Sequence, residues 1–231
     1  MLTTYQTQVG LLLHDPTFQN YSQTSITSYI NSARNQIALD SESLRYTATY
    51  NAQPSNPVVG LNLITVPPAP APAGLGIAMA VRQMKIGSSV VANRPWEWYW
   101  ENYQGLTTQG QPTIWSQESM GANGIIYLYP VPDQVYALSL DCLFLPIVLT
   151  SDSDPEAISY PWTDAVQYYA AYLAFLNSQR EGSAGQMWQL YLKFMRRATA
   201  MTTPSVLPMD FPGGDGARAA GMRMPIGAEA Q

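Results

Sequence analysis

The chain has 231 residues, of which 12% are charged, 46% hydrophobic and 11% aromatic, and its formal net charge is −5. This hydrophobic content excludes a disordered chain, and the acidic balance argues against a general nucleic-acid binder, which needs basic patches to neutralise phosphates. The charged fraction is about half that of an average soluble domain. We therefore expect partners to cover much of the surface, because charges of both signs usually keep an exposed surface soluble.

Particular residues exclude further classes. The apolar run 135–149 is interrupted by Asp141 and Pro146 and is too short for a membrane span. No basic residue precedes Leu11, so we expect no secretory signal. Cys142 is the one cysteine, which excludes an internal disulfide and a cysteine-based zinc cluster, and we expect it to be a buried apolar residue.

The N-terminal part of the chain predicts two helices and then a strand. Helical spacing of apolar residues covers 4–13 and 24–40, with Thr24 as the predicted N-cap of the second helix. From 44 to 50 the apolar residues alternate with polar ones, which is typical of a half-buried strand. The predicted buried stripe of the second helix comprises Ile26, Ile30, Ala33 and Ile37.

Prolines and aromatic residues dominate the next section. Segment 67–74 alternates proline and alanine, which predicts an extended polyproline-type excursion or protruding loop. A strand over 77–86 precedes a helix that opens near Pro95 and ends at Gly105. One aromatic face of this helix comprises Trp96, Tyr99, Trp100 and Tyr103. Such stripes are more often core than stacking platforms; Trp98 points away from the stripe and is the better candidate for an inter-subunit or tail contact.

The rest of the chain predicts strands, then helices, then an arm. Strands are expected over 113–117, 124–129 and 135–145, and two helices over 163–180 and 186–201. The short link between the two helices predicts antiparallel packing. From 202 to 231 the chain holds four Pro and five Gly, so this arm cannot bury enough surface to order itself, and we expect it to order on a partner.

This order of elements predicts an α+β fold: a helical bundle of N- and C-terminal helices, interrupted by a β-rich, sandwich-like insertion, with an extended C-terminal arm. The predicted divisions are N-terminal helices 1–43, β-rich insertion 44–150, C-terminal helical pair 151–201 and arm 202–231.

No enzyme emerges from the chemistry-bearing residues. His14 is the one histidine and has no nucleophile or second base beside it. Asp152, Asp154 and Glu156 resemble the start of a calcium loop but lack its glycine and its distant glutamate; a solvated acidic connection is the favoured interpretation. We therefore predict no catalytic residue, no metal site and no cofactor.

Four short motifs point to a structural family. A helix with the run Tyr29-Ile-Asn-Ser-Ala-Arg34 precedes Gly110-Gln-Pro-Thr-Ile-Trp115, Gly124-Ile-Ile-Tyr-Leu-Tyr-Pro-Val-Pro-Asp133 and Tyr136-Ala-Leu-Ser-Leu-Asp-Cys-Leu-Phe-Leu-Pro146. Over about residues 22–200 the chain thereby resembles the head-to-tail adaptor proteins of tailed bacteriophages. The motifs are structural, and none of them is a catalytic signature.

The resemblance implies a virion protein of the neck or tail region, assembled in the host cytoplasm. Such adaptors form a homo-oligomeric ring, typically a dodecamer, that binds the portal protein, joins it to the tail nozzle or tube and extends the DNA channel without sequence-specific binding. Neither a membrane nor a cofactor is implied. In short-tailed phages a C-terminal arm docks on the portal, which makes Phe211, Met222, Met224 and Ile226 the expected anchors here.

Three points depart from this interpretation or compete with it. Segment 67–74 is longer than the family leads us to expect, and one interpretation is a tip that contacts tail or fibre proteins. The main alternative function is a carbohydrate-binding or fibre-attachment module that uses the Trp-rich segment 96–115 on a β-sandwich. A remoter third option is a tail or baseplate component of another phage machine. The flanking helices and the arm favour the adaptor.

Overall fold

Seven strands form one continuous sheet in the computed structural model, which describes residues 1–64 and 73–202. Across the sheet their order is β1-β7-β3-β4-β5-β6-β2, and only the β4–β5 pair is parallel. The strands are β1 (Arg45–Ala52), β2 (Val58–Gly60), β3 (Leu75–Ile86), β4 (Ser89–Asn93), β5 (Ile114–Glu118), β6 (Ile125–Tyr129) and β7 (Tyr136–Pro146).

The sheet is strongly curved and forms a near-barrel. The short strand β4 lies between β3 and β5, and beyond its end these two strands contact each other directly. The backbone N–H of Val81 in β3 donates to Oε1 of Gln117 in β5 over 2.9 Å. Register shifts along β3 against β7 add curvature, because bulges increase the local twist. The result is a near-barrel whose edge strands are β1 and β2.

Four of the five described α-helices pack together on this sheet, and the fifth lies against β5. Helix α4 packs along α5, α2 and α1, while α2 also packs on β7. The shorter helix α3 contacts β5. The helices are α1 (Leu2–Leu12), α2 (Gln23–Ser41), α3 (Trp96–Tyr103), α4 (Thr163–Asn177) and α5 (Glu181–Thr202).

Helix α2 shows how local sequence sets these elements. Its N-cap is Ser22, whose hydroxyl accepts from the backbone N–H of Ser25 over 3.1 Å; the predicted cap, Thr24, was wrong by two residues. The predicted stripe, which begins with Ile26 and Ile30, is fully buried, as helical periodicity requires. A hydrogen bond holds α5 against the end of α2: the Tyr191 hydroxyl donates to Oδ2 of Asp40 over 2.6 Å. Burial and this carboxylate raise the pKa of Tyr191 far above its usual value.

The predicted fold class was wrong. The strands are not a sandwich-like insertion that interrupts a helical bundle: they make one seven-stranded sheet in a mixed α/β fold. A single hydrophobic core joins helices and sheet, since Ile30 of α2 and Leu140 of β7 belong to the same buried cluster. Periodicity identifies strands but not their partners, and β1 pairs with β7 although residues 53–135 lie between them. The division into segments at 43, 150 and 201 stays a prediction.

Candidate interaction surface

An aromatic groove lies where α3 covers the outer face of β6. Pro95 precedes α3, and its fixed φ suits a helix start. The helix then presents Tyr99 inwards, where only 4% of the residue is exposed and its hydroxyl donates to the Leu128 carbonyl over 3.1 Å. This hydrogen bond and the buried ring fix the helix on the sheet.

Alternate residues of β6 supply the other aromatic wall. Because side chains alternate along a strand, Tyr127 and Tyr129 share one face. The Tyr129 ring lies 4.3 Å from that of Tyr103, and the Tyr127 ring lies 4.7 Å from that of Trp96. These two strand tyrosines were not predicted to be part of the surface, although their spacing of two residues indicated a shared face.

The open part of this surface is a groove of about 380 Å³ between α3, the loop that follows it and the start of β2. Its volume falls within the roughly 300–1,000 Å³ of ligand pockets. The aromatic and aliphatic residues that line it are Pro57, Val58, Tyr99, Tyr103, Leu106, Tyr127 and Val131. Such a lining suits an apolar or proline-rich ligand rather than an ion.

Trp98 lies beside the groove, half buried. The guanidinium carbon of Arg94 lies 5.0 Å from the centre of its indole ring, and the Tyr103 ring lies 5.1 Å away. Trp100 is the most exposed of the three tryptophans of α3, with 55% of its surface accessible. A contact of Trp98 with another subunit or with the tail stays a prediction. Trp115 is fully buried and cannot belong to the glycan platform that the alternative function requires.

The arm anchors predicted from the sequence, Phe211, Met222, Met224 and Ile226, lie outside the described residues, as do residues 67–72 of the Pro-Ala segment. His14 is exposed in the turn after α1. Cys142 is buried, and burial raises the pKa of its thiol to about 12. In the described ranges, no cluster of three or more His, Cys, Asp or Glu side chains could hold a metal ion.

The acidic connection before α4 is an anchoring loop. Asp152 accepts a hydrogen bond from the backbone N–H of Thr3 over 2.8 Å, which holds α1 against the loop. Asp154 accepts from the backbone N–H groups of Thr150 and Ser151 over 2.6 and 2.7 Å. Both carboxylates therefore bind backbone N–H groups: Asp154 caps its own loop, whereas Asp152 joins the loop to the start of the chain.

The Asp154 contacts predict a pH dependence of stability. The backbone N–H groups of Thr150 and Ser151 lower the pKa of Asp154 to about 2, against roughly 3.9 in an unfolded chain. Because the folded-state pKa is the lower one, the stabilisation is complete above about pH 4 and is lost as the pH falls from about 4 to about 2. We expect Asp154→Ala to lower the melting temperature near neutral pH, with the difference from wild type vanishing towards pH 2. A melting series across pH tests this, with Glu97→Gln as control; a difference that is constant with pH would contradict it.

Glu156 has a different role, which the sequence analysis missed. Its side chain is only 10% exposed and pairs with the buried guanidinium of Arg34 on α2, with Nη2 and Oε1 2.9 Å apart. Arg34 follows Ile30 by four residues and so lies on the buried face of the helix. A charge at that position was the available signal for a buried partner.

Large apolar side chains are exposed on many different elements rather than in one patch. Single exposed apolar side chains are common on protein surfaces. Here, however, many of them occur together with an unusually low fraction of charged residues. At least half of the residue surface is exposed at Leu11, Leu63, Ile77, Val90, Trp100, Met120, Val135, Val148 and Tyr160. Several faces of the molecule are thus poorly suited to permanent contact with water.

Comparison with known proteins gives one family. The sequence model of the family described as SU10 adaptor protein matches residues 2–208, nearly the whole chain. Among curated proteins, no relative is found. Of the helices in the described residues, none is both long and apolar enough to cross a membrane.

Proposed function

The chain belongs to the SU10 adaptor protein family, and on that premise we propose that it is a head-to-tail adaptor of a tailed phage. The family match supports a structural phage adaptor and a virion component. The proposal adds the finer role: copies of the chain join the portal protein to the tail nozzle or tube and extend the DNA channel. The family match carries this proposal.

Surface composition supports a subunit that is covered on several sides. A ring subunit touches two neighbouring copies, the portal above and the tail below, so it needs several contact faces. Exposed apolar side chains on α1, β4, α3 and the loops before and after β7 meet that need. The net charge of −5 suits a channel that DNA passes without being held, because like charges repel. We propose a dodecamer, assembled in the host cytoplasm.

The arm is the proposed portal anchor. Residues 203–231 follow α5, whose last strongly buried residue in the described part is Ala198. Their composition cannot form a core of its own, so ordering would accompany binding. Phe211, Met222, Met224 and Ile226 are the large apolar side chains proposed to fill portal pockets.

The test compares three chains mixed with the cognate portal: the full chain, a chain that ends at Met201, and a full-length chain with the four anchors changed to Ser. Truncation after Met201 leaves the buried residues of α5 in place, so folding should survive. We expect the full chain to bind as a ring, with its mass giving the copy number, and both variants to lose binding at least tenfold. Equal binding by all three would remove the arm as anchor, and a full chain that stays monomeric and unbound would overturn the adaptor proposal.

A further inference from the structure

The aromatic groove has the chemistry of a site for polyproline helices. Proline-rich segments dock in grooves lined by aromatic rings, where the rings contact the pyrrolidines and hydrogen-bond donors meet the exposed carbonyls. Three tyrosines line this groove, beside Pro57 and Leu106. A polyproline helix has no internal hydrogen bonds, so its carbonyls are free to accept.

The groove contains hydrogen-bond donors for such a ligand at two of its residues, although two of its three tyrosine hydroxyls already donate within the chain. Tyr99 donates its hydroxyl to Leu128 and Tyr127 donates its own to Glu118, over 3.1 and 3.0 Å. The hydroxyl of Tyr103 makes no hydrogen bond within the described part of the chain, although its ring is held against Tyr129. Gln104, exposed at the groove, is an amide donor that is also free of partners there. Tyr103 thus combines a fixed ring with an available donor.

The chain itself carries a matching ligand. Residues 67–72 read Pro-Pro-Ala-Pro-Ala-Pro, which contains the Pro-x-x-Pro pattern that favours a polyproline helix. The segment holds no charge and no bulky side chain, so it would bring only prolines and methyl groups to the tyrosine rings. The groove has the complementary lining, and its walls carry no lysine, arginine, aspartate or glutamate.

Geometry prevents the complete segment from entering the groove of its own chain. The Gly74 carbonyl accepts from the Ile147 N–H, at the carboxyl end of β7, whereas Val131 of the groove precedes the amino end of that strand. Eleven residues of β7 separate these ends by about 30 Å. Pro72 is two residues from Gly74 and so stays within about 7 Å of it. The prolines nearest Gly74 can reach only the groove of another molecule.

We propose that the tyrosine groove binds residues 67–72 of a second copy of this chain, linking neighbouring subunits head to tail. The inference rests on the proposed function in one respect, that copies of the chain associate. Because the groove and Gly74, which follows the segment in the chain, lie at different places on one subunit, the contact is heterologous and can repeat around a ring. The Pro-Ala segment is thereby assigned to the neighbouring subunit rather than to a tail or fibre protein.

A peptide titration tests the groove. The receptor is the full chain with residues 67–72 replaced by Gly and Ser, so that no copy supplies its own ligand; the probe is a peptide of residues 64–73. We expect saturable binding that weakens roughly tenfold or more when Tyr103→Ala removes the ring or Leu106→Arg fills the groove mouth. Trp100→Ala, exposed on α3 outside the lining, should leave binding unchanged. The second variant keeps the test valid if the first misfolds. The proposal would be overturned if the peptide bound no better than a peptide with serine in place of each proline. It would also be overturned if neither groove variant weakened binding.

A pairing of complementary defects tests the second copy. One chain has an intact groove and the Gly-Ser segment, and the other has Leu106→Arg and an intact Pro-Ala segment. Neither can form the contact with itself, but each can supply what the other lacks. We expect sedimentation to show a complex of one copy of each in the mixture, beyond the self-association of either variant. No gain on mixing would overturn the proposal.

These outcomes are separate from those of the portal test. If the mixed variants form a complex but the full chain does not bind the portal, the adaptor role fails and the contact between copies stands. If the full chain forms a ring on the portal while the variants do not pair, the adaptor role stands and subunits meet through another surface.

Discussion

Replacing Arg34 by Met is expected to lower the free energy of unfolding by about 3–5 kcal/mol, because the change leaves a buried carboxylate without its cation. The Arg34 side chain is 1% exposed and that of Glu156 is 10% exposed. The guanidinium Nε and Nη2 both donate to Glu156, so the pair is bidentate. Methionine fills a similar volume but cannot neutralise the charge.

The remaining donors of Arg34 make the loss larger than that of one ion pair. Its Nη1 donates to the Ile147 carbonyl over 2.6 Å and to Oδ1 of Asn31 over 3.1 Å. Asn31 in turn exchanges two hydrogen bonds with the backbone of Leu149. The network therefore fastens α2 to the chain that leaves β7, and several buried polar groups lose partners together.

Urea unfolding of matched variants measures the effect. Arg45→Met removes the cation of an exposed pair with Asp141, in which the Arg45 side chain is 48% exposed, and should cost less than about 1 kcal/mol. Arg34→Met combined with Glu156→Leu removes both buried charges and should recover much of the loss of the single variant. Equal effects of Arg34→Met and Arg45→Met would show that burial does not govern the strength of these pairs.

The sequence predicted most helices closely because each depends on a local pattern, although α5 begins at Glu181 rather than at the expected residue 186. The expected helix 24–40 is α2 (Gln23–Ser41), and the expected strand 135–145 is β7 (Tyr136–Pro146). Strand β4 was missed because five residues with one buried side chain, Val91, make too short a pattern. The sheet could not be predicted, since pairing of β1 with β7 depends on contacts between distant segments rather than on local spacing.

The candidate groove shows the same division. The aromatic face of α3 was visible at helical spacing, and Tyr99 and Trp100 occupy its buried and exposed sides. Tyr127 completes the wall only because β6 pairs beside β5, on which α3 rests. The helical wall of the groove could therefore be predicted from the sequence, whereas the strand wall depends on the order of strands in the sheet.

Trp115→Ala and Trp100→Ala are expected to differ strongly in their effect on the free energy of unfolding. Trp115 of β5 is completely buried, and its indole N–H donates to the Val91 carbonyl over 3.2 Å. Trp115→Ala is expected to cost about 3–5 kcal/mol, since it removes a large ring from a core that can collapse only partly around the cavity. Trp100→Ala, at a position 55% exposed, should change stability by less than about 0.5 kcal/mol.

The two variants also distinguish the roles of tryptophan in segment 96–115. A glycan platform needs exposed rings, whereas Trp115 joins β5 to β4 through its hydrogen bond and its packing. Urea unfolding, followed by the fluorescence of the remaining tryptophans, should therefore show a large loss of stability for Trp115→Ala alone. Losses of similar size for both variants would mean that α3 contributes as much to the core as β5 does.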